Sequence, residues 1–106
     1  MPKYLFQDSY TEAGLKGLLK DGGTKRREAV KQAIESLGGK LEVIYFAYGD
    51  NDFYFIADNP DNVSAITGSL ISNASGTVRL KTTVLITAEE MDQAVKKTMD
   101  WRPPGQ

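Results

Sequence analysis

Two kinds of hydrophobic spacing alternate along the chain and predict a succession of strands and helices. Short runs rich in β-branched and aromatic residues, flanked by turn residues, are typical of strands. Such runs occupy residues 4–9, 41–48, 53–57 and 78–86. The turn sequence Gly49–Asp52 separates the second run from the third and predicts a hairpin.

Helical spacing of apolar residues fills the gaps between these strands. The first helical region follows Thr11, a suitable N-cap, is interrupted at Gly22-Gly23 and stops at Gly38-Gly39. The second begins at Asn59–Asp61, with Pro at the first helical position, and ends at Gly76. Its apolar stripe consists of Val63, Ile66 and Leu70.

A capping box at Thr87–Glu90 predicts a short third helix after the last strand. Its apolar face consists of Met91, Ala94 and Val95. The order of elements is therefore βαββαβ with an extra C-terminal helix. This order predicts one α+β domain over residues 1–106, with a ferredoxin-like, four-stranded antiparallel sheet and helices on one face.

The second and third strands are apolar on both sides. Alternation in the second strand predicts Leu41, Val43 and Tyr45 on one face, against Ile44 and Phe46 on the other. A sheet with helices on one face would leave the other set as a large exposed apolar patch, which monomers rarely keep. We therefore expect a homodimer, or a higher even assembly, in which the free sheet face covers the same face of a second copy.

Four segments of the chain carry a family resemblance. They are PKYLFQDSYTEAGLKGLLKDGG, KRREAV, YGDNDF and VRLKTT. These segments resemble the GYD domain family of small bacterial proteins, and the resemblance extends from Pro2 to about Pro104. Gly49 and Asp52 match the family's Gly-Tyr-Asp hairpin motif, whereas Asn51 stands where the family has Tyr. The resemblance implies a dimeric α+β barrel and carries no established activity.

Composition excludes several kinds of chemistry. The chain of 106 residues contains neither Cys nor His, which removes the usual thiolate and imidazole nucleophiles, bases and metal ligands. We therefore expect no metal and no cofactor. The net charge of −1 gives no reason to expect binding to nucleic acid or to a membrane. The first residues lack an apolar signal core, which predicts a cytoplasmic protein.

Basic residues stand where the helical pattern resumes after Gly22-Gly23. Cations oppose the helix dipole at this end, so Thr24, Lys25 and Arg27 are candidates for binding a phosphate or carboxylate. A solvated basic face explains the same residues without a ligand, and we favour that interpretation over the anion site.

Carboxylates provide the remaining candidates for acid–base chemistry. Asp50 and Asp52 flank the hairpin turn, where paired acids could raise one pKa or hold a cation, although tight turns recruit Asp for its backbone chemistry alone. Asp8, near the end of the first strand, is a further candidate acid, unless it is simply solvated at the sheet edge.

Aromatic residues are concentrated in the first three strands, where they form a core, a dimer interface or the lining of a ligand pocket. Alternation places Arg79 and Lys81 on one face of the fourth strand, and a buried cation needs a carboxylate, a bound anion or solvent. We expect at least one of them to point into a cleft near a tyrosine. The predicted ligand-binding set is Tyr4, Tyr10, Asp52, Arg79 and Lys81.

Two classes of function fit the sequence. The favoured one is a homo-oligomeric module that binds a small anionic or aromatic molecule. The other is a cofactor-independent isomerase, cyclase or oxygenase, in which Asp8, Asp52 or a Tyr carries protons and Arg79 holds an enolate. A buried carboxylate in a closed cavity would favour the enzyme.

Overall fold

A computed structural model describes all residues, 1–106, and shows the α+β, ferredoxin-like fold that the sequence predicts. The elements are β1 (Lys3–Tyr10), α1 (Glu12–Ser36), β2 (Lys40–Phe46), β3 (Phe53–Asp58), α2 (Asn62–Ala74), β4 (Val78–Leu85) and α3 (Ala88–Lys96). The four strands form one antiparallel sheet in the order β2-β3-β1-β4. None of the helices is long and apolar enough to cross a membrane.

Helix α1 is kinked at the point where its sequence pattern breaks. Gly22 has a φ of 78°, a left-handed conformation that favours glycine, and the helical path resumes after it. Gly22 therefore divides α1 into two helical segments that meet at a kink. Its second half packs against the sheet through Ile34, which is buried, and Val30, which is half-buried.

The inner face of the sheet, covered by α1 and α2, holds most of the core. Phe6 of β1 and Phe55 of β3 stack with ring centroids 4.5 Å apart and planes 11° from parallel. Phe53 continues the stack next to Phe55, at 6.2 Å. The rings form a continuous apolar floor under the helices, worth roughly 0.5–1.5 kcal/mol per stacked pair beyond simple burial.

A β-bulge in β2 makes the predicted alternation of that strand wrong at its start. The register shifts between Leu41 and Val43, so Leu41 pairs with Ala57 and lies on the inner face with Ile44 and Phe46. The cause is one extra residue, which breaks the two-residue period of a regular strand. Val43 and Tyr45 share one face, as predicted, and the structure shows that it is the outer face, where they lie opposite Ile56 and Tyr54.

Helix α2 is oriented unexpectedly. It faces the sheet with small residues, of which Ala65 is buried, and the side chains of its apolar stripe are exposed. Helix α3 has no buried residue. No element of the chain covers the outer sheet face, so dimerisation through that face stays a prediction.

Candidate ligand-binding cleft

A cleft lies between the two helices on the inner sheet face. Helix α1 packs mainly over β2 and α2 mainly over β4, which leaves the central strands β1 and β3 as the floor between them. The rings of Phe6, Phe53 and Phe55 line this floor. The cleft has a volume of about 90 Å³, several times the roughly 10–15 Å³ that one water requires. It therefore has room for several water-sized groups.

The two walls of the cleft differ in chemistry. Helix α1 contributes aliphatic side chains, including Ile34 and Leu37. Helix α2 contributes small residues, namely Ser64, Ala65, Gly68 and Ser72. A Cβ at Gly68 would already stand 3.4 Å from Cδ1 of Leu37. The open space thus depends on the small residues of α2, because larger ones would close the gap between the helices.

Asp8 stands at one end of the cleft and is buried, which makes the interpretation as a solvated edge residue wrong. Its side chain is 1% exposed, and it lies opposite Phe53 and Leu80 in the neighbouring strands. Its Oδ1 has no hydrogen-bond partner. Burial raises the pKa of Asp8 to about 7, because desolvation disfavours the ionised form. Asp8 can therefore change protonation state near neutral pH.

Asn59 occupies the other end of the cleft. It follows β3, is 1% exposed, and neither Oδ1 nor Nδ2 has a hydrogen-bond partner. Its position six residues beyond Phe53, the residue opposite Asp8, puts the two polar ends roughly 20 Å apart along the strand direction at about 3.3 Å per residue. The cleft is thus apolar in the middle and polar at each end.

A serine side chain lies near each polar end of the cleft. Ser64 lies in the first turn of α2, close in sequence to Asn59. At the other end, Oδ1 of Asn73 accepts from the backbone N–H of Leu80 at 2.9 Å, and Leu80 lies opposite Asp8. The C-terminal turn of α2, with Ser72, therefore lies near the Asp8 end of the cleft. Each end can offer both hydrogen-bond donors and acceptors.

The structure brings together only two of the five residues predicted to bind a ligand. The backbone N–H of Tyr10 donates to Oδ2 of Asp52 at 2.7 Å, and both residues line an open hollow beside the kink of α1. Tyr4 is buried in the core, where its hydroxyl donates to Oδ1 of Asn62 at 2.5 Å. Arg79 and Lys81 lie exposed on the outer face.

The expected cleft joining a β4 cation to a tyrosine does not form within one chain. Alternation showed correctly that Arg79 and Lys81 share a face and that Tyr4 and Tyr10 share a face. The strand register places the two pairs on opposite faces of the sheet. Tyr4 lies opposite Val84, whereas Arg79 lies opposite Ser9, whose side chain is on the other face of β1. Arg79 consequently does not reach the Asp8 cleft of its own chain.

A cation outside the predicted anion-binding set, Arg26, lies near the hydroxyl of Tyr10. Burial raises the pKa of the Tyr10 hydroxyl, and the guanidinium of the half-buried Arg26 partly opposes this rise. The predicted anion-binding residues Thr24, Lys25 and Arg27 are exposed. Nε of Arg27 stands 3.4 Å from Oε1 of Glu28. The anion site at these three residues stays a prediction.

Asp52 in the hairpin forms hydrogen bonds with backbone groups of β1. Asp52 binds the N–H of Tyr10 through its carboxylate, and its own N–H donates to the carbonyl oxygen of Asp8 at 2.8 Å. Asp50 is exposed. No three acidic side chains come close enough to one another to form a metal site. The hairpin thus positions the end of β1, which carries Asp8.

A comparison with known protein families shows the family of this chain. A family model, the GYD domain, matches residues 4–95. The chain belongs to the GYD domain family. No curated protein matches it. In this GYD domain, Asp52 of the hairpin motif holds β1, and Asn51, at the position of the motif's Tyr, accepts from Oγ of Ser9 at 3.3 Å and donates to the hydroxyl of Tyr54.

Asn59 is a functional candidate that the sequence pattern did not reveal. A helix start at Asn59–Asp61 accounts for all three residues without any further role. In the GYD domain the N-cap is Asp61, whose Oδ1 accepts from the N–H of Ser64 at 2.8 Å. Asn59 is therefore not needed for capping. The only sequence signal is the presence of two capping residues where a helix uses one.

Proposed function

We propose that this GYD domain is a homo-oligomeric module of the bacterial cytoplasm that binds a small, neutral, aromatic molecule in the cleft between α1 and α2. One observation carries the proposal: the buried, unpartnered polar atoms of Asp8 and Asn59 border a single apolar cleft with a floor of phenyl rings. An apolar cavity with a few polar groups is the usual form of a small-molecule site.

The unpartnered atoms support this proposal energetically. A buried polar group without a hydrogen bond costs about 1–3 kcal/mol, and three such atoms belong to Asp8 and Asn59. A small ligand that donates a hydroxyl or N–H hydrogen bond to Asp8 removes the cost at that end of the cleft. Its apolar part would lie on the rings of Phe6 and Phe55.

The same residues favour a neutral ligand over an anionic one. No Lys or Arg lines the cleft, and its only ionisable group is the carboxyl of Asp8. An anion next to an ionised Asp8 would be repelled, and the apolar walls would offer it no compensation. Of the two ligand classes that the sequence suggested, aromatic and anionic, the cleft fits the aromatic one.

A pair of matched probes tests the ligand class. We expect 2-naphthol to raise the melting temperature by about 10 °C at 100-fold its dissociation constant, because its hydroxyl can donate to Asp8. The carboxylate analogue 2-naphthoate should leave the melting temperature unchanged at the same concentration. Differential scanning fluorimetry measures both. Equal stabilisation by the two probes would contradict the proposed ligand chemistry.

A matched pair of glycine variants tests the location. Gly68→Leu fills the space between α2 and Leu37, so we expect it to abolish the response to 2-naphthol. Gly17→Leu is the control, since it introduces the same side chain into a helix at a position where a Cβ meets nothing within 4 Å. If both variants respond as the wild type does, the ligand does not bind in this cleft.

The alternative function, a cofactor-independent isomerase or cyclase, is favoured by the protonation chemistry of Asp8. A carboxyl with a pKa near 7 beside a substrate cleft is suited to general acid–base catalysis. Asp8 would remove a proton from the carbon next to a carbonyl group and return it at a second position of the enolate. This step needs no oxidant, reductant or metal.

Hydrogen exchange in a bound ketone separates the enzyme from the binding module. We expect an enzyme to accelerate deuterium incorporation next to the carbonyl of 2-tetralone in D₂O, followed by NMR. Asp8→Asn should lower the accelerated rate at least about 100-fold while it retains the response to 2-naphthol, and Asp50→Asn serves as the exposed control. Exchange at the uncatalysed rate with wild-type protein leaves the binding module as the function.

A further inference from the structure

Helix α2 presents to solvent the side chains that a helix normally buries. Four large aliphatic residues are 55–74% exposed, namely Val63, Ile66, Leu70 and Ile71. The helix contains no charged residue along its 13 positions. A surface helix usually carries charged residues on its outer side, and a helix without them is typical of a buried element. The outer side of α2 therefore has the composition of an interface.

The C-terminal arm, residues 87–106, is a second apolar surface without a partner in its own chain. Its large apolar side chains Met91, Val95, Met99 and Trp101 are 50–73% exposed. Helix α3 within the arm has only 9 residues, whereas isolated helices shorter than about 12–15 residues are marginal in water. A capping box stabilises its first turn, but the rest of the helix needs packing that one chain does not supply.

The dimensions of the chain indicate that one copy is not the complete packing unit. The radius of gyration is 16.9 Å, compared with about 13 Å for a compact domain of this length. The longest dimension is 56 Å, against 33 and 23 Å for the other two. Helix α3 in the arm has no buried residue, as expected of an element that lacks its packing partner.

We propose that the C-terminal arm of one copy docks on the outer side of helix α2 in a second copy. Every copy carries one arm and one helix α2. Each arm can therefore bind the α2 of another copy, and neither of these two apolar surfaces is left uncovered. In a reciprocal exchange each copy contributes both its arm of 20 residues and the outward half of its α2. Together they supply about the 20–30 residues per side of a standard protein interface.

Charge also fits this pairing. Around α3, the apolar side formed by Met91, Ala94 and Val95 lies between Glu90 and Asp92, and Lys96 follows. These charged groups stay at the rim when the apolar side is buried. Because α2 has no charged residue, it presents neither a like charge nor an ionised group that would lose its solvent. This contact is separate from the ligand cleft, which lies on the opposite side of α2.

The absence of native cysteine makes cross-linking a clean test. Full-length Leu70→Cys and Val95→Cys chains, one of them extended by a tag so that mixed pairs differ in size, are combined and treated with a short bis-maleimide. We expect a mixed covalent dimer as the main product. Lys31→Cys, at an exposed position of α1, replaces Leu70→Cys in the control and should give at least 10-fold less.

The double variant Leu70→Cys/Val95→Cys distinguishes exchange from folding back. We expect dimers and longer covalent chains. A monomer with an internal cross-link would show that the arm lies on its own α2 and would overturn the exchange. Failure to cross-link, or equal yields with the Lys31→Cys control, would overturn it as well. Binding of 2-naphthol is expected in all these variants, so the result is independent of the proposed ligand cleft.

Discussion

Replacing Asp8 with Asn should stabilise the folded protein at alkaline pH, on the order of 4 kcal/mol at pH 8. The pKa of Asp8 is about 7 in the folded state, against 3.8 for the free side chain, and each unit of difference corresponds to about 1.4 kcal/mol. The folded state binds the proton more tightly than the unfolded state does. Raising the pH therefore removes stability from the wild type between about pH 4 and 7.

Urea titrations between pH 4 and 9 measure this effect through the free energy of unfolding. We expect the difference between Asp8→Asn and wild type to grow from near zero at pH 4 and to level off above pH 7. Asp50→Asn, an exposed hairpin acid, is the matched control and should follow the wild type. A difference that is constant with pH would contradict the burial of an ionisable Asp8.

This stability cost is itself informative about function. An Asn or a Leu at position 8 would give the folded protein a higher stability above pH 7 than the carboxyl does, because neither side chain ionises. Strongly perturbed carboxyls are common at functional sites, where the chemistry of the group outweighs its effect on folding. The proposed ligand would reduce the cost by donating a hydrogen bond to the ionised carboxylate.

Introducing Lys at Ile56 should dissociate the predicted sheet-to-sheet dimer. Ile56 lies on the outer face between Val43 of β2 and Leu5 of β1. A Lys there would bury an unpaired charge at the centre of the paired sheets. We expect the dissociation constant to rise at least 100-fold, which corresponds to about 2.7 kcal/mol.

Light scattering over a dilution series measures this constant. Gln32→Lys adds the same charge at an exposed position of α1 and should leave the constant unchanged. A wild-type species of 11.7 kDa at micromolar concentration, or the same constant for both Lys variants, would contradict pairing through this face. The arm is intact in both variants, so any association that it contributes is the same in both, and the difference between them reports on the sheet face.

The sequence by itself determined the order of the elements and the points where they start and stop. Gly22 breaks α1, Asp52 closes the hairpin, and Thr87 with Glu90 caps α3. These features depend on backbone conformation and on residues a few positions apart, so they can be predicted locally. With the family resemblance, they were sufficient for the ferredoxin-like fold.

Only the tertiary structure decided which side chains meet. The bulge moved Leu41 to the inner face, and the strand register separated Tyr4 from Arg79. Asp8 is buried because Phe53 and Leu80 flank it from strands that are more than 40 residues away in sequence. Periodicity shows which residues of one element share a face, but the burial of a polar group depends on neighbours from other elements. For this reason the cleft between Asp8 and Asn59 could not be predicted from the sequence.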